Sequence, residues 1–231
     1  MTSAIEIDGL QFQRGNFSLD VPMLRIEQGT VVGLIGSNGA GKSTLLELLI
    51  GLHAPKAGAM RVAGLDVARE AVAVRRRTGF VQPESPLFAL RVDSLLRTVA
   101  PFYPSWDAEL AAQLVTRFAL PLDKHISQLS RGEGLRVRLV LALAYKPEVV
   151  LLDEPTSGLD VANRREVLGE IVRTVSDAGR TVVVASHDLA DLERICDRIV
   201  WLDRGRVVAD GTPAEVAGVG HTLEERLLGG V

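Results

Sequence analysis

Eight residues, Gly36-Ser37-Asn38-Gly39-Ala40-Gly41-Lys42-Ser43, fit the pattern G-x-x-x-x-G-K-[ST]. They constrain the chain more than any other stretch, because the pattern needs a particular fold around it. A run with little side-chain bulk lets successive backbone N–H groups turn onto an anion. A helix starting where the run ends adds the positive end of its dipole. The flanks meet both needs. Val31-Val32-Gly33-Leu34-Ile35 reads as a short buried strand before the loop. After Thr44, residues Leu45, Leu46, Leu48, Leu49 and Ile50 read as an apolar helix that Gly51 stops. In that setting Lys42 reaches the outer phosphates of a nucleoside triphosphate, and the Ser43 hydroxyl faces a Mg²⁺ ion.

Composition narrows the rest. With 231 residues, 47% of them hydrophobic, the chain is long enough for one large domain or a core with an inserted subdomain. Its 26 basic and 29 acidic residues leave a net charge of −3, so nothing points to nucleic acid as a partner. The single cysteine, Cys196, excludes an internal disulfide and suits a reducing compartment; it reads as a small buried hydrophobe. No apolar run approaches the ~18–20 residues that cross a bilayer. The start, Met1-Thr2-Ser3-Ala4-Ile5-Glu6, has neither the basic residues nor the apolar stretch of a signal peptide. The expectation is a cytoplasmic chain that reaches a membrane only through another subunit.

Short apolar strands recur at Ile5–Ile7, Val31–Ile35, Phe80–Val81, Val149–Asp153, Thr181–Ala185 and Ile199–Leu202, with helical patterns between several of them. Such alternation predicts a mostly parallel sheet covered by helices. Ile199–Leu202 and Val207–Ala209 flank Asp203-Arg204-Gly205-Arg206, which reads as a hairpin. The stretch from Pro83 to Tyr145 lacks clear strands. Beyond a cap at Ser105 or Asp107, Leu110, Leu114, Val115 and Phe118 share one helical face, and a second apolar helix carries Leu139 and Leu143. A third helix spans Val161–Ser176, with Val167, Leu168, Ile171, Val172 and Val175 facing inward. The Arg75-Arg76-Arg77 run reads as a solvated face.

A second chemical signal is Val149-Val150-Leu151-Leu152-Asp153-Glu154. A buried strand delivers carboxylates to its C-terminal end, where ligands sit in open α/β sheets. Asp153 is placed to hold Mg²⁺ and Glu154 to polarise an attacking water.

With these residues in view, the chain resembles the ATP-binding subunits of ABC transporters over about residues 5 to 211. Leu129-Ser130-Arg131-Gly132-Glu133 resembles the family signature Leu-Ser-Gly-Gly-Gln. Gln82 resembles the glutamine that senses Mg²⁺ and water, Ser157-Gly158-Leu159-Asp160 the D-loop, and Ser186-His187-Asp188 the switch-histidine segment. The resemblance implies an α/β P-loop NTPase fold: a RecA-like core with a mostly parallel sheet, an antiparallel β subdomain and an inserted helical signature subdomain. It implies one domain, with core segments 1–82 and 147–211, a helical subdomain at 83–146 and a helical tail at 212–231.

It also implies ATP and Mg²⁺ as cofactors, with Ser43, Gln82 and Asp153 around the metal and Glu154, His187, Gln82 and Lys42 as catalytic residues. Nucleotide contacts run through Gly36 to Thr44, completed by Ser130 and Gly132 of a second ATPase subunit across a dimer. Asp160 joins Ser130 at that dimer contact. Two departures stand out. Arg131 and Glu133 replace the usual Gly and Gln, which alters the charge expected at the dimer interface. Arg14 stands where the family has its adenine-stacking tyrosine, leaving Phe12, Arg14 and Phe17 as base contacts.

The segment Phe102-Tyr103-Pro104-Ser105-Trp106-Asp107 looks like that of bacterial ABC-2-type exporter ATPases for drugs, peptides or lipids. The expected partners are transmembrane permease subunits, which would hold this chain peripherally on the cytoplasmic face of the inner membrane. The alternatives are an importer subunit, against which the short stretch after Gly211 counts mildly, and a soluble iron–sulfur-assembly type of ABC ATPase.

Overall fold

Two strand patterns run through the chain, and the sheet changes character where one gives way to the other. The structure, a computed structural model, describes residues 2–82, 85–157, 161–176, 179–218 and 221–228, with the side chains at 161–163, 165–167, 170, 176, 227 and 228 excepted. In the first pattern, β1 (Ser3–Arg14) and β2 (Phe17–Glu27) largely alternate buried and solvated residues and pair antiparallel from Ser3↔Glu27 to Arg14↔Phe17.

In the second, every residue of β3 (Val31–Ile35) is buried. The antiparallel half is completed by β4 (Ala57–Val62), which pairs with β1, and β5 (Leu65–Asp66), which pairs with β4. The parallel half is β6 (Thr78–Val81), β7 (Val149–Asp153), β8 (Thr181–Ala185) and β9 (Arg198–Asp203), with β3 between β8 and β9. The strand β10 (Arg206–Gly211) turns back antiparallel on β9 and meets β2 at Arg206↔Asp20. The whole order is β5-β4-β1-β2-β10-β9-β3-β8-β7-β6.

Unbroken apolar runs suit strands covered on both faces. Along β7, Val149 and Leu151 enter one core while Val150 and Leu152 enter the other. The first core holds α1 (Lys42–Leu49) between the parallel strands and the antiparallel half, burying Leu45, Leu46, Leu48 and Leu49. Each of these contributes about 1.5–3 kcal/mol by leaving water. The helix α2 (Val67–Arg77) follows β5 and is capped by Asp66, whose carboxylate accepts from the Ala68 and Arg69 N–H groups.

Between β6 and β7 the described residues carry α3 (Val92–Val99), α4 (Ala108–Arg117), α5 (Arg131–Leu143) and short 3₁₀ turns at Ala100–Phe102 and Ile126–Gln128. They pack on the second core, as do Leu168, Ile171, Val172 and Val175 of α6 (Val161–Ser176); Val167 is among the residues whose side chains are not described. The chain ends through α7 (Leu189–Ile195), α8 (Pro213–Ala217) and α9 (Leu223–Leu228). No helix among the described residues is long and apolar enough to cross a membrane.

The antiparallel half was the least visible in the sequence. The first strand extends well beyond Ile5–Ile7, and β2, β4 and β5 carry no clean apolar run. Pro22 interrupts the pattern of β2, and Gly9 at φ +61 sits where the pairing with β4 shifts register. Arg75 is more than a solvated residue: its Nη1 donates to the Ile50 carbonyl at 3.1 Å and satisfies the C-terminal end of α1. Of the aromatic cluster, Tyr103 stacks on Tyr145 with centroids 4.0 Å apart and Trp106 packs on the core, while Phe102 is 68% exposed.

Candidate nucleotide site

The loop from Gly36 to Gly41 leaves β3 and enters α1 with no bulk to spare. A Cβ on Gly36 (φ +149) would stand 2.2 Å from the Leu202 carbonyl oxygen, and one on Gly41 (φ +109) would meet the Phe17 ring at 2.8 Å. Both positions therefore need glycine. The Ala40 N–H donates to the Ser37 carbonyl, and Gly205 N–H donates to the Ala40 carbonyl, tying the loop to the β9–β10 turn. Ser37, Asn38, Gly39 and Ser43 are exposed and Thr44 half-buried, so the loop is open to a ligand on that side. Lys42 is buried, and its ammonium donates to the carbonyls of Gly36 at 2.8 Å and Ser37 at 3.4 Å. Burial pulls the Lys42 pKa below the ordinary lysine range, and the charges of Glu154 and Asp153 oppose that shift.

At the end of β7 two carboxylates diverge. Asp153, 3% exposed, accepts from the Ser43 hydroxyl at 3.0 Å and from the Gln82 amide at 3.3 Å. Burial raises its pKa above the ordinary range, partly offset by the Ser43 hydrogen bond. Glu154 takes a left-handed backbone at φ +46, its N–H held by the Ala185 carbonyl of β8 at 2.8 Å. That conformation is strained for a residue with a Cβ and turns the side chain away from Asp153's. Its Oε1 lies 3.8 Å from Lys42 Nζ, and its Oε2 2.8 Å from His187 Nδ1. An ionised carboxylate only accepts, so Nδ1 carries the proton. Asp188 forms an ion pair with Arg164 of α6, which anchors the turn carrying His187.

The site therefore gathers the loop, Asp153, Glu154, Gln82 and His187 at one end of the parallel sheet. The donor set fits magnesium: one hydroxyl, one buried carboxylate and one amide beside an open anion site, leaving the remaining ligands to phosphate and water. Gln82 presents its N–H group to Asp153 while its Oε1 accepts from the Ser85 hydroxyl at 3.1 Å, which fixes the amide and leaves that oxygen one lone pair. A further link lies beyond it. Arg138 of α5 donates to the Ser85 carbonyl at 2.6 Å and to the Gly134 carbonyl at 3.0 Å. A continuous hydrogen-bonded path thus runs from Ser43 through Asp153, Gln82, Ser85 and Arg138 to the first turn of α5. Sequence reading missed Arg138; a charged residue between Leu135, Val137 and Leu139 was the available signal.

Ser130 is the N-cap of α5. Its Oγ accepts from the Glu133 N–H at 3.2 Å, and its own N–H donates to Glu133 Oε2 at 2.8 Å, a closed capping box. Lys124 pairs with the other oxygen, Oε1, at 2.9 Å. Lys124 and the capping N–H together hold the Glu133 pKa down at about 2. Ser130 opens onto a cleft of about 570 Å³ also lined by Gln82, Asp153, Glu154 and Arg138. Gly132 lies in the first turn of that helix, while Asp160 lies outside the described residues. Of the three base-contact candidates, Phe12 is only 8% exposed and packs against His53 with centroids 5.6 Å apart, so packing consumes its faces. Arg14 is exposed, and Phe17 is half-buried directly over Gly41.

A glycine-rich loop between a buried strand and a helix, with a Lys, a hydroxyl and a strand-end carboxylate converging on it, defines a P-loop nucleoside triphosphatase. The ABC transporter family model matches residues 19–157, and the chain belongs to that family as an ATP-binding, ATP-hydrolysing subunit. It is 38% identical over 221 residues to the daunorubicin resistance ATP-binding protein DrrA3 of Streptomyces coeruleorubidus, covering 93% of this chain and 70% of that one. It is 37% identical over 216 residues to the thiamine import ATP-binding protein ThiQ of Jannaschia sp. (strain CCS1), covering 91% and 94%. A solved structure of an ATP-binding subunit of an ABC transporter superposes with a TM-score of 0.84 at 30% identity, covering 96% of this chain and 97% of that one.

Proposed function

We propose that the chain hydrolyses ATP with Mg²⁺ as one of a pair of ATPase subunits and thereby powers export through a permease. The observation that carries the chemistry is Glu154 set between Lys42 and His187, one residue beyond the carboxylate bonded to Ser43. Ser43, Asp153 and Gln82 would hold the metal. Bound there, Mg²⁺ supplies positive charge that offsets the phosphate oxygens. Glu154 accepts the proton of the attacking water as its oxygen bonds to the terminal phosphorus. The bond to the bridging oxygen breaks, giving ADP and phosphate. His187 orients Glu154, and Lys42 with the loop N–H groups stabilises the charge that builds up. The second copy contributes the Ser130 hydroxyl and the start of its α5, with Gly132 leaving the backbone open. Asp160 contacts the opposite subunit, and Phe17 carries the adenine with Arg14 at its edge.

The helical stretch 83–146 acts as the arm that meets the permease. A groove of about 370 Å³ lined by Leu52, Phe80, Leu87, Tyr103 and Leu141 is suited to an apolar segment, and Phe102 beside it in sequence is exposed. Through that contact the subunit sits on the cytoplasmic face of the membrane. Export is favoured by the Phe102–Asp107 segment and by the similarity to a drug-resistance subunit. The similarity to a thiamine importer subunit supports the second reading, import. Vesicles carrying the subunit with its permease decide the direction, by whether ATP outside loads or empties them. Glu154→Gln is expected to lower turnover at least about 10²-fold while nucleotide still binds; turnover at the parental rate would overturn the assignment of the base.

A further inference from the structure

An acidic residue at the start of α5 is a problem for a helix end that must receive phosphate. Glu133 sits in the first turn and spends the helix's positive end on its own carboxylate, through the Ser130 N–H at 2.8 Å. Its second oxygen is met by Lys124 at 2.9 Å. The position of Lys124 is fixed from behind. Its carbonyl accepts from the Val92 N–H at 3.0 Å, the Leu122 carbonyl accepts from the Asp93 N–H at 3.1 Å, and the Ile126 N–H donates to the Leu90 carbonyl at 2.9 Å. The segment carrying the lysine is thus pinned to the start of α3. With Lys124 present the charges at this helix start are Arg131 and Lys124 against Glu133, a sum of +1; without it the sum is 0 and the Glu133 carboxylate loses its direct ion-pair partner.

The capping box has a second effect. One Ser130 Oγ lone pair is occupied by the Glu133 N–H, which leaves the hydroxyl proton free to be donated.

We propose that Lys124 is a positioning residue for ATP. It holds Glu133 in an ion pair, so that the carboxylate fixes the Ser130 backbone N–H and closes the capping box around the Ser130 hydroxyl without repelling the triphosphate bound on the opposite subunit. The proposal rests on the reading that Ser130 completes the site of a second copy. Like charges repel more strongly the closer they lie and the less water stands between them, and salt screens the repulsion.

The test is the steady-state ATPase of the full chain at low and at 0.5 M salt. Lys124→Met is expected to raise the KM for ATP about tenfold at low salt and by less than about threefold at high salt. Lys124→Met combined with Glu133→Gln is expected to recover most of the loss, since the amide keeps the capping box and removes the charge. A Lys124→Met KM equal to the parent's, or a loss that neither salt nor Glu133→Gln reverses, overturns the proposal and makes the lysine merely structural. Ser130→Ala separates the underlying reading: parental activity in that variant refutes the shared site, whereas its loss together with an unaffected Lys124→Met refutes only the proposal.

Discussion

Replacing Arg138 by Met tests whether the path from Ser43 to α5 matters for turnover rather than for folding. The side chain bridges two parts of the chain 53 residues apart, and its charged bond to the Ser85 carbonyl at 2.6 Å is worth about 1.5–3 kcal/mol. Against that stand two costs removed by the substitution. The guanidinium Nε is buried with no partner among the described residues, about 1–3 kcal/mol. Burial also lowers the arginine's pKa, because desolvation disfavours the cation. Methionine fills a similar volume with neither cost.

The terms nearly cancel, so the melting temperature should move by no more than about 3 °C, on the scale of about 2–4 °C per kcal/mol for a chain this size. Turnover should respond differently. Without Arg138 the Ser85 carbonyl is released, and the Ser85 hydroxyl no longer fixes the Gln82 amide against Asp153. Losing about 1.4 kcal/mol of positioning lowers kcat about tenfold. Scanning calorimetry beside a coupled ATPase assay reads both numbers. A variant of parental stability and parental kcat refutes the relay; a variant that unfolds shows that the bridge is chiefly a structural tie.

Two further outcomes follow from the geometry. Phe17→Ala should raise the KM for ATP about 5- to 100-fold, the range of a lost base–aromatic stack, and Arg14→Ala by less; the reverse ranking in a nucleotide titration would move the adenine onto Arg14. Acid should erase part of the stability that Glu133 contributes. Its pKa falls from 4.5 unfolded to about 2 folded, so the contribution is present above pH 4.5 and lost as pH drops toward 2. The gap in melting temperature between the parent and Glu133→Gln should therefore close over that window, and a gap independent of pH would contradict the ion pair's role.

What the sequence disclosed, and what it withheld, divides along the distance over which residues act. The loop, the Asp153–Glu154 pair and the Ser130 cap are each written in consecutive residues, and their local geometry follows from strand ends and helix starts. The hairpin of β9 and β10 was readable for the same reason, since Gly205 in its turn takes φ +78. Links between distant segments were not. Arg138 looks like one polar residue on an apolar helix until Ser85 arrives from elsewhere in the chain. Glu133 reads as a changed signature residue and an altered interface charge, yet Lys124 offsets it within the same subunit. Phe12 and Phe17 are equivalent aromatics in the sequence. Their opposite fates depend on which face of the β1–β2 ribbon turns toward the core. The left-handed backbone of Glu154 has no sequence signature at all, because only the surrounding strands and loop can hold a glutamate there.

The account's central claim is that each nucleotide is enclosed by Lys42 of one copy and Ser130 of another. Light scattering on Glu154→Gln, in which ATP persists, measures this most directly. The 24.9 kDa chain should double in mass when ATP is added, and a second substitution, Ser130→Arg, should abolish the doubling while leaving ATP bound to the monomer. A chain that stays monomeric with ATP, or that doubles equally well with Arg at 130, would contradict it.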